Sequence, residues 1–175
     1  MKYILLATLF LPASLASGAL TAPHECHLKL FNTHTQEHID VVYRRDGVYD
    51  TEALAKLDTF LRDWRVDKVK HYDPRLFDVL TDLEAELNRP DAEINVICGY
   101  RTHETNEGLR HRIPHSTVAV KSLHIQAQAI DIRLPGVKTS QLRATALSMR
   151  RGGVGYYPGL DFVHVDVGPV RRWVN

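Results

Sequence analysis

Two stretches near the end of the chain each combine an apolar strand face with one side chain that can bind a metal. Residues 129–134 and 162–167 alternate in the way that half-buried strands do. Asp131 and His164 therefore lie opposite the apolar faces, and His124 precedes Asp131 by seven residues, so a turn could bring it over the same surface. Two imidazoles and a carboxylate are a common ligand set for catalytic Zn²⁺, with a fourth position open for water. The spacing predicts a zinc site formed by these three side chains.

The other histidines need a separate interpretation, because the chain contains ten of them. Histidines at protein surfaces or in hydrogen bonds are far more common than metal ligands, so a ligand role needs a structural reason. For six histidines the sequence gives no such reason, and we interpret them as surface or hydrogen-bonded residues: His34, His38, His71, His103, His111 and His115.

The two cysteines, Cys26 and Cys98, are too few for a disulfide-rich scaffold and do not form a Cys-x-x-Cys zinc motif. Cys98 continues the apolar alternation of residues 94–98, which predicts an inert thiol on the buried face of a strand. An exported protein could pair the two cysteines in a disulfide. Geometry decides such pairing, so the sequence leaves it open.

The elements that would position these residues indicate one α+β domain over residues 23–175. Asp73 followed by Pro74 is a typical helix start, and the leucine stripe of residues 76–87 predicts one buried helix face. Gly99 marks a turn or a close approach of two backbone segments. In chain order the pattern predicts a hairpin over 28–43 with its turn at 32–35, a helix over 50–64 with Trp64 on its buried stripe, a helix over 74–87, a strand over 93–98, a short helix over 102–109, an irregular loop over 111–122 and a helix over 139–150.

The composition is that of a globular protein preceded by an export signal. The 175 residues are 44% hydrophobic and 25% charged, and 22 basic against 21 acidic side chains argue against a dedicated nucleic-acid binder. Lys2, an apolar run over residues 3–13 and small residues up to Ala22 have the order of a secretory signal. We expect residues 1–22 to be removed and the mature protein to be a periplasmic monomer, with no membrane contact beyond export.

At the metal-binding residues the sequence resembles the M15-type zinc peptidases, whose motif is Ser-x-His, six residues, Asp and a later His. Here the motif runs from Ser122 and His124 through Asp131 to His164. The similarity is greatest to the YcbK-like (DUF882) murein endopeptidase branch and covers nearly all of the mature chain. The matching segments are residues 30–35, 43–49, 61–63, 99–102, 152–158, 162–168 and 170–173.

The resemblance implies a hedgehog/D-Ala-D-Ala-peptidase-like fold, with an antiparallel sheet and flanking helices, and Zn²⁺ as the cofactor. It implies hydrolysis of the peptide cross-links of bacterial peptidoglycan, with the stem peptides as partner. A D-alanyl carboxypeptidase of the same fold and a zinc-stabilised wall-binding module without turnover are the alternatives.

The resemblance also implies roles for residues around the metal. Arg101 would face the substrate and either bind a carboxylate through its planar fork or stabilise the oxyanion. Ser122 is a candidate for a hydrogen bond to the substrate backbone, although it could equally cap a turn. Tyr156 and Tyr157 are candidates for lining the cleft, although aromatic side chains commonly pack in the core.

Two positions depart from the family pattern. Ala127 stands where the family commonly has glycine, and Cys98 stands where it commonly has serine. A methyl group at position 127 would crowd the turn at the metal site if that turn needs a positive φ.

Hydrolysis of an amide at zinc also requires a general base. Asp166 shares a strand face with His164 and is the preferred candidate, although it could instead orient that histidine by a hydrogen bond. Asp161 lies three residues before His164, the offset used by many M15 enzymes. If the strand over residues 162–167 began as early as Asp161, this side chain would point to the core and could not act as the base. A turn after Gly159 would free it from the strand.

Overall fold

The computed structural model describes residues 24–112 and 118–175, so the predicted signal over 1–22, His115 and part of the predicted 111–122 loop lie outside the described residues. The elements in chain order are β1 (Glu25–Asn32), β2 (His38–Arg45), β3 (Val48–Tyr49), α1 (Thr51–Phe60), α2 (Arg75–Glu86), β4 (Glu93–Cys98), α3 (His103–Arg112), a 3₁₀ turn (Leu123–Gln126), β5 (Ala129–Arg133), α4 (Thr139–Met149), β6 (Gly153–Tyr157), β7 (Phe162–Asp166) and β8 (Arg171–Val174).

The eight strands form one sheet in the order β3-β2-β1-β4-β5-β7-β6-β8, which with the helices confirms the α+β class. Strands β4, β5, β7 and β6 are antiparallel neighbours, as expected. The expectation of an antiparallel sheet is wrong for two pairs, because β1 pairs with β4 and β6 pairs with β8 in parallel. Between β1 and β4 the chain passes through α1 and α2, and such a crossover returns it in the same direction.

The predicted hairpin is present as β1 and β2, and Leu28 and Leu30 of β1 are fully buried. Helix α1 begins where expected, because the Asp50 carboxylate accepts hydrogen bonds from two backbone N–H groups of the first turn. It ends at Phe60, four residues earlier than expected. Trp64 is therefore off the helix and 41% exposed, in a turn that the bridge between Asp63 and Lys68 closes.

The later helices and turns differ from the prediction at their ends. Helix α2 begins after Pro74, and the Asp73 carboxylate accepts a hydrogen bond from the backbone N–H of Arg75. Helix α3 includes residues 111–112, and the 3₁₀ turn over Leu123–Gln126 was not predicted. In the part of the chain that the structure describes, no helix is long and apolar enough to cross a membrane.

The hydrophobic core lies against one face of the sheet, where the apolar positions of the central strands point. Ile130 and Ile132 of β5 and Val163 and Val165 of β7 are all buried in it, as the alternation predicts. Because successive side chains in a strand point to opposite faces, the polar residues between them are directed to the other face. That face carries the candidate site.

We predict that Gly152, just before β6, tolerates no side chain. A Cβ atom there would lie 1.7 Å from the backbone oxygen of Asp166, which cannot retreat as a flexible side chain could. Gly152→Ala should lower the free energy of unfolding by about 1–3 kcal/mol in urea denaturation. Gly159→Ala is the matched control, because nothing lies within 4 Å of a Cβ there, and its effect should stay within about 0.5 kcal/mol. Equal stabilities of the two variants would contradict this packing.

Candidate metal centre

Two neighbouring strands and one turn bring the three predicted ligands together. Asp131 on β5 is the direct cross-strand partner of His164 on β7, on the polar face of the sheet. His124 lies in the 3₁₀ turn that immediately precedes β5. The three side chains are buried, with exposed fractions of 8% or less. The structure thus juxtaposes residues that the sequence placed on separate elements.

The ligand atoms of these side chains form a compact triangle. The Nε2 atom of His124 lies 3.1 Å from Nδ1 of His164 and 3.2 Å from Oδ1 of Asp131. The distance from Nδ1 of His164 to Oδ1 of Asp131 is 2.8 Å. Donor atoms bound to one tetrahedral Zn²⁺ at about 2.0–2.1 Å lie about 3.3 Å apart, so the triangle is slightly smaller than the face that three zinc ligands form.

The outer nitrogen of each imidazole fixes the tautomer that metal binding requires. Nδ1 of His124 donates to the backbone oxygen of Gly99 at 2.8 Å, because a carbonyl can only accept. Nε2 of His164 donates to Oδ2 of Asp166 at 3.0 Å. In the neutral rings the lone pairs of the inner nitrogens therefore face each other beside a carboxylate. This donor set fits Zn²⁺, since a cation at the centre relieves the repulsion between the lone pairs.

Protonation of the ligands competes with binding of a cation. Burial lowers the pKa of His124, but the Asp131 carboxylate and the nearby Cys98 thiol raise it to about 10. Burial raises the pKa of Asp131, and the two histidines hold it well below its ordinary value. A bound cation would displace this proton, so metal affinity should increase with pH.

The turn that carries His124 contains the predicted strain. Ala127 ends the 3₁₀ turn with φ 53° and ψ 43°, in the left-handed region that glycine adopts without cost. A left-handed alanine costs about 1–2 kcal/mol. Ser122 caps the start of the turn, since its hydroxyl oxygen accepts the backbone N–H of His124 at 3.3 Å. Ser122 therefore caps the turn, and it also lines the cavity above the ligands.

A cavity of about 440 Å³ opens above the three ligands. Arg101 lines it and is 9% exposed, and its Nη2 donates to the hydroxyl of Ser122 at 3.1 Å. Within residues 24–112 and 118–175, its Nε–H has no acceptor and no carboxylate forms an ion pair with it. A buried cation without a counter-ion is costly, so this guanidinium is suited to an anionic ligand. The lining residues also include Lys121, Leu123, Tyr157, Leu160, Phe162, Arg171 and Trp173.

Tyr156 does not line this cavity, so the structure does not bring this predicted residue to the site. Alternation along β6 directs Tyr156 toward the core, where the guanidinium of Arg143 lies 5.2 Å from its ring. Tyr157 points the other way and lines the cavity. The two adjacent tyrosines look equivalent in sequence, and only the register of β6 separates them.

The two candidate bases occupy different environments. Asp166 is 1% exposed, and besides His164 its carboxylate accepts hydrogen bonds from Gly153 N–H, Gly168 N–H and the guanidinium of Arg171. Burial raises the pKa of Asp166, but these partners together lower it to about 2. Asp161 has φ 53° and lies in the turn before β7, where its carboxylate accepts from Thr139 at 2.8 Å. Only Asp166 therefore touches a predicted ligand.

The cysteines do not pair, and both are free thiols. Strands β1 and β4 pair in parallel with Lys29 opposite Glu93, so Cys26 and Cys98 are offset by eight residues, about 26 Å. The expectation that Cys98 lies on the core face is wrong. The register shift between Val96 and Cys98 turns its side chain toward His124 and Asp131, and potential ligand atoms of these three residues lie within 4.8 Å of one another.

Comparison with known proteins identifies the family to which the chain is similar. The family model described as peptidoglycan L,D-endopeptidase MepK (Peptidase_M15_2) matches residues 20–173. The peptidoglycan L,D-endopeptidase MepK of Escherichia coli K12 is 44% identical over 158 residues, covering 90% of this chain and 85% of that protein. A probable peptidoglycan L,D-endopeptidase MepK of Haemophilus influenzae is 39% identical over 170 residues, covering 97% of this chain and 90% of that protein. No solved structure matches the chain significantly.

We predict that Asp166→Asn weakens zinc binding about 10- to 100-fold, the usual effect of removing a carboxylate that orients a ligand histidine. The amide keeps one acceptor oxygen, which can face either the Nε2–H of His164 or the N–H groups of Gly153 and Gly168, and its NH2 group would then meet the donors on the other side. Competition with a chromophoric chelator measures the affinity. Asp161→Asn is the control and should bind zinc as the parent protein does, because its carboxylate is 63% exposed and contacts Thr139 and Arg133. The reverse pattern would remove Asp166 from the site.

Proposed function

The chain belongs to the M15 peptidase family, and from this membership we propose that it is a zinc-dependent endopeptidase that hydrolyses peptide cross-links of peptidoglycan. The observation that carries the proposal is the convergence of His124, Asp131 and His164 beneath a cavity lined by Arg101, which has no carboxylate partner among the described residues. A metal ligand set and a buried cation in one cavity suit a peptide substrate that carries a free carboxylate.

We propose His124, Asp131 and His164 as the residues that hold Zn²⁺. When bound, the ion lowers the pKa of a water molecule and polarises the scissile carbonyl group. Gly99 and Asp166 keep both histidines in the tautomer that leaves the inner nitrogens free. These contacts prepare the ligand set before the metal arrives, so little reorganisation accompanies binding.

Arg101 is proposed to bind the substrate. Its guanidinium can form two parallel hydrogen bonds to a carboxylate of the peptide or stabilise the oxyanion of the tetrahedral intermediate. The Ser122 hydroxyl accepts a hydrogen bond from Arg101 and fixes its fork over the cavity. Substrate contact by the Ser122 hydroxyl stays a prediction.

The geometry supports Asp166 as a positioning residue rather than as the general base that we preferred from the sequence. A base works best when its pKa lies near the working pH, whereas the partners of Asp166 keep it a stable anion. Asp161, the second candidate, contacts Thr139 and Arg133 instead of a ligand. We propose that Asp166 acts through His164, and that the proton leaves by another group or by solvent.

Two peptidoglycan cross-links are candidate substrates, diaminopimelate–diaminopimelate and D-alanine–diaminopimelate, and the names of the relatives favour one of them. A bond from the L-centre of one diaminopimelate to the D-centre of the next joins centres of opposite configuration, whereas D-alanine–diaminopimelate joins two D-centres. The relatives are called L,D-endopeptidases. We therefore propose the diaminopimelate–diaminopimelate cross-link as the substrate.

Such a substrate lies outside the cytoplasm, which agrees with the secretory signal that we predict over residues 1–22. We propose that residues 23–175 form the mature, monomeric periplasmic enzyme. N-terminal sequencing of protein from the periplasm should begin between Ser17 and Pro23, and recovery of Lys2 from a cytoplasmic pool would contradict export.

We expect the purified mature protein to contain one Zn²⁺ per chain and to cut purified cross-linked muropeptides into monomers. Chelation should abolish cleavage and added Zn²⁺ should restore it. Asp131→Asn should lose zinc, because a neutral amide replaces the anionic ligand. Elemental analysis and chromatography of the digest measure both properties.

Different products would separate the alternatives in the same assay. Release of terminal D-alanine alone would indicate a carboxypeptidase. Zinc binding and retention on peptidoglycan without any product would indicate a wall-binding module. A protein that binds no divalent metal would contradict the proposal.

We further predict that Arg101→Lys lowers kcat/KM by about tenfold or more, since one hydrogen bond to a charged group contributes roughly 1.5–3 kcal/mol. Lysine keeps the charge and loses the planar fork. Zinc content and melting temperature should stay at the parent values. Parent kinetics in this variant would exclude Arg101 from substrate binding.

A further inference from the structure

Tyr157 is a cavity residue that the three-ligand scheme does not use. Its ring stacks on Phe162 with 4.4 Å between centroids, and both side chains line the cavity above the metal ligands. Arg101 and Asp131 line the same cavity. Burial raises the pKa of Tyr157, and the hydroxyl therefore keeps its proton at neutral pH.

A hydrogen bond sets the direction in which this hydroxyl can donate. The indole Nε1–H of Trp173 donates to the Tyr157 oxygen at 3.1 Å. An indole N–H is a donor only, so the phenolic proton must point away from Trp173. With the ring held against Phe162, the remaining directions include the cavity.

Trp173 couples this hydroxyl to the metal ligands. Its ring lies 5.1 Å from the ring of His164, between centroids. It is seated against Gly155 on β6, where a Cβ atom would lie 2.5 Å from the indole. The same side chain thus packs on a ligand and holds the Tyr157 oxygen, which fixes the hydroxyl relative to the metal centre.

We propose that Tyr157 is a catalytic residue that donates a hydrogen bond to the oxyanion of the tetrahedral intermediate, a role that rests on the proposed peptidase function. As water oxygen bonds to the scissile carbon, the carbonyl π electron pair moves onto the carbonyl oxygen. The Tyr157 O–H donates a hydrogen bond to this charge from the cavity wall. When the C–N bond breaks, the pair returns to reform the carbonyl. The amine leaves with the proton that the attacking water gave up, transferred by another group or by solvent, so Tyr157 ends unchanged.

A donor to the oxyanion acts in the transition state and contributes little to substrate binding. Tyr157→Phe keeps the stack on Phe162 and removes only the hydroxyl. It should lower kcat about 10- to 100-fold on cross-linked muropeptide, with KM within about twofold. A phosphinic acid analogue of the cleaved bond, which carries the charge of the intermediate, should lose affinity by a similar factor.

Tyr156→Phe is the matched control, because it removes a hydroxyl from the neighbouring residue outside the cavity and should leave kcat unchanged. Zinc content and melting temperature are measured for both variants. If Tyr157→Phe does not fold, Trp173→Phe tests the same bond, since it keeps an aromatic ring on His164 and should lower kcat with little change in KM.

The outcomes separate this inference from the proposed function. If the parent protein cleaves muropeptides and Tyr157→Phe matches Tyr156→Phe in kcat, the role of Tyr157 is wrong while the peptidase function stands. If Tyr157→Phe changes only KM, the residue binds substrate and the oxyanion role is likewise wrong. If the parent protein cleaves no muropeptide, the proposed function itself fails.

Discussion

The pairing of β5 with β7 is the constraint on which the candidate site depends. It sets Asp131 directly beside His164 on the polar face of the sheet. The valine and isoleucine residues at the alternate positions of the same strands are buried on the other face. A shift of either strand by one residue would turn the ligand on that strand toward the core. Burial of the apolar face therefore also fixes the position of the ligands, and the fold and the metal centre are stabilised by the same register.

Hydrogen bonds from neighbouring segments hold the ligands and Arg101 in place. Gly99 holds His124 through its carbonyl oxygen, and a Cβ at Gly99 would lie 2.6 Å from the backbone oxygen of Leu61. The buried Asp63 carboxylate accepts both the N–H and the hydroxyl of Thr102, next to Arg101. The segment that supplies Arg101 and supports His124 is thus fixed from the loop after α1, far from the metal in sequence.

Among the described residues of the site, each buried charged group except Arg101 lies beside a group that can compensate its charge. Asp166 is compensated by Arg171 and by backbone N–H groups, and Asp131 by the two histidines. Among the described residues Arg101 lacks a carboxylate partner, and its cavity also contains Lys121. These two basic groups can bind an anionic peptide, which would offset the cost of burying the Arg101 cation.

The sequence by itself determined the strand faces, the family resemblance and the three ligand candidates, because alternation and short motifs are local properties. It identified Gly99 as a close backbone approach and Ala127 as a residue under strain if φ were positive, and both features are present. Only the tertiary structure decided which tyrosine lines the cavity, that Cys98 turns toward the ligands, and that Asp166 binds the outer nitrogen of His164. These outcomes depend on strand register, a bulge and contacts between distant segments, which no local pattern encodes.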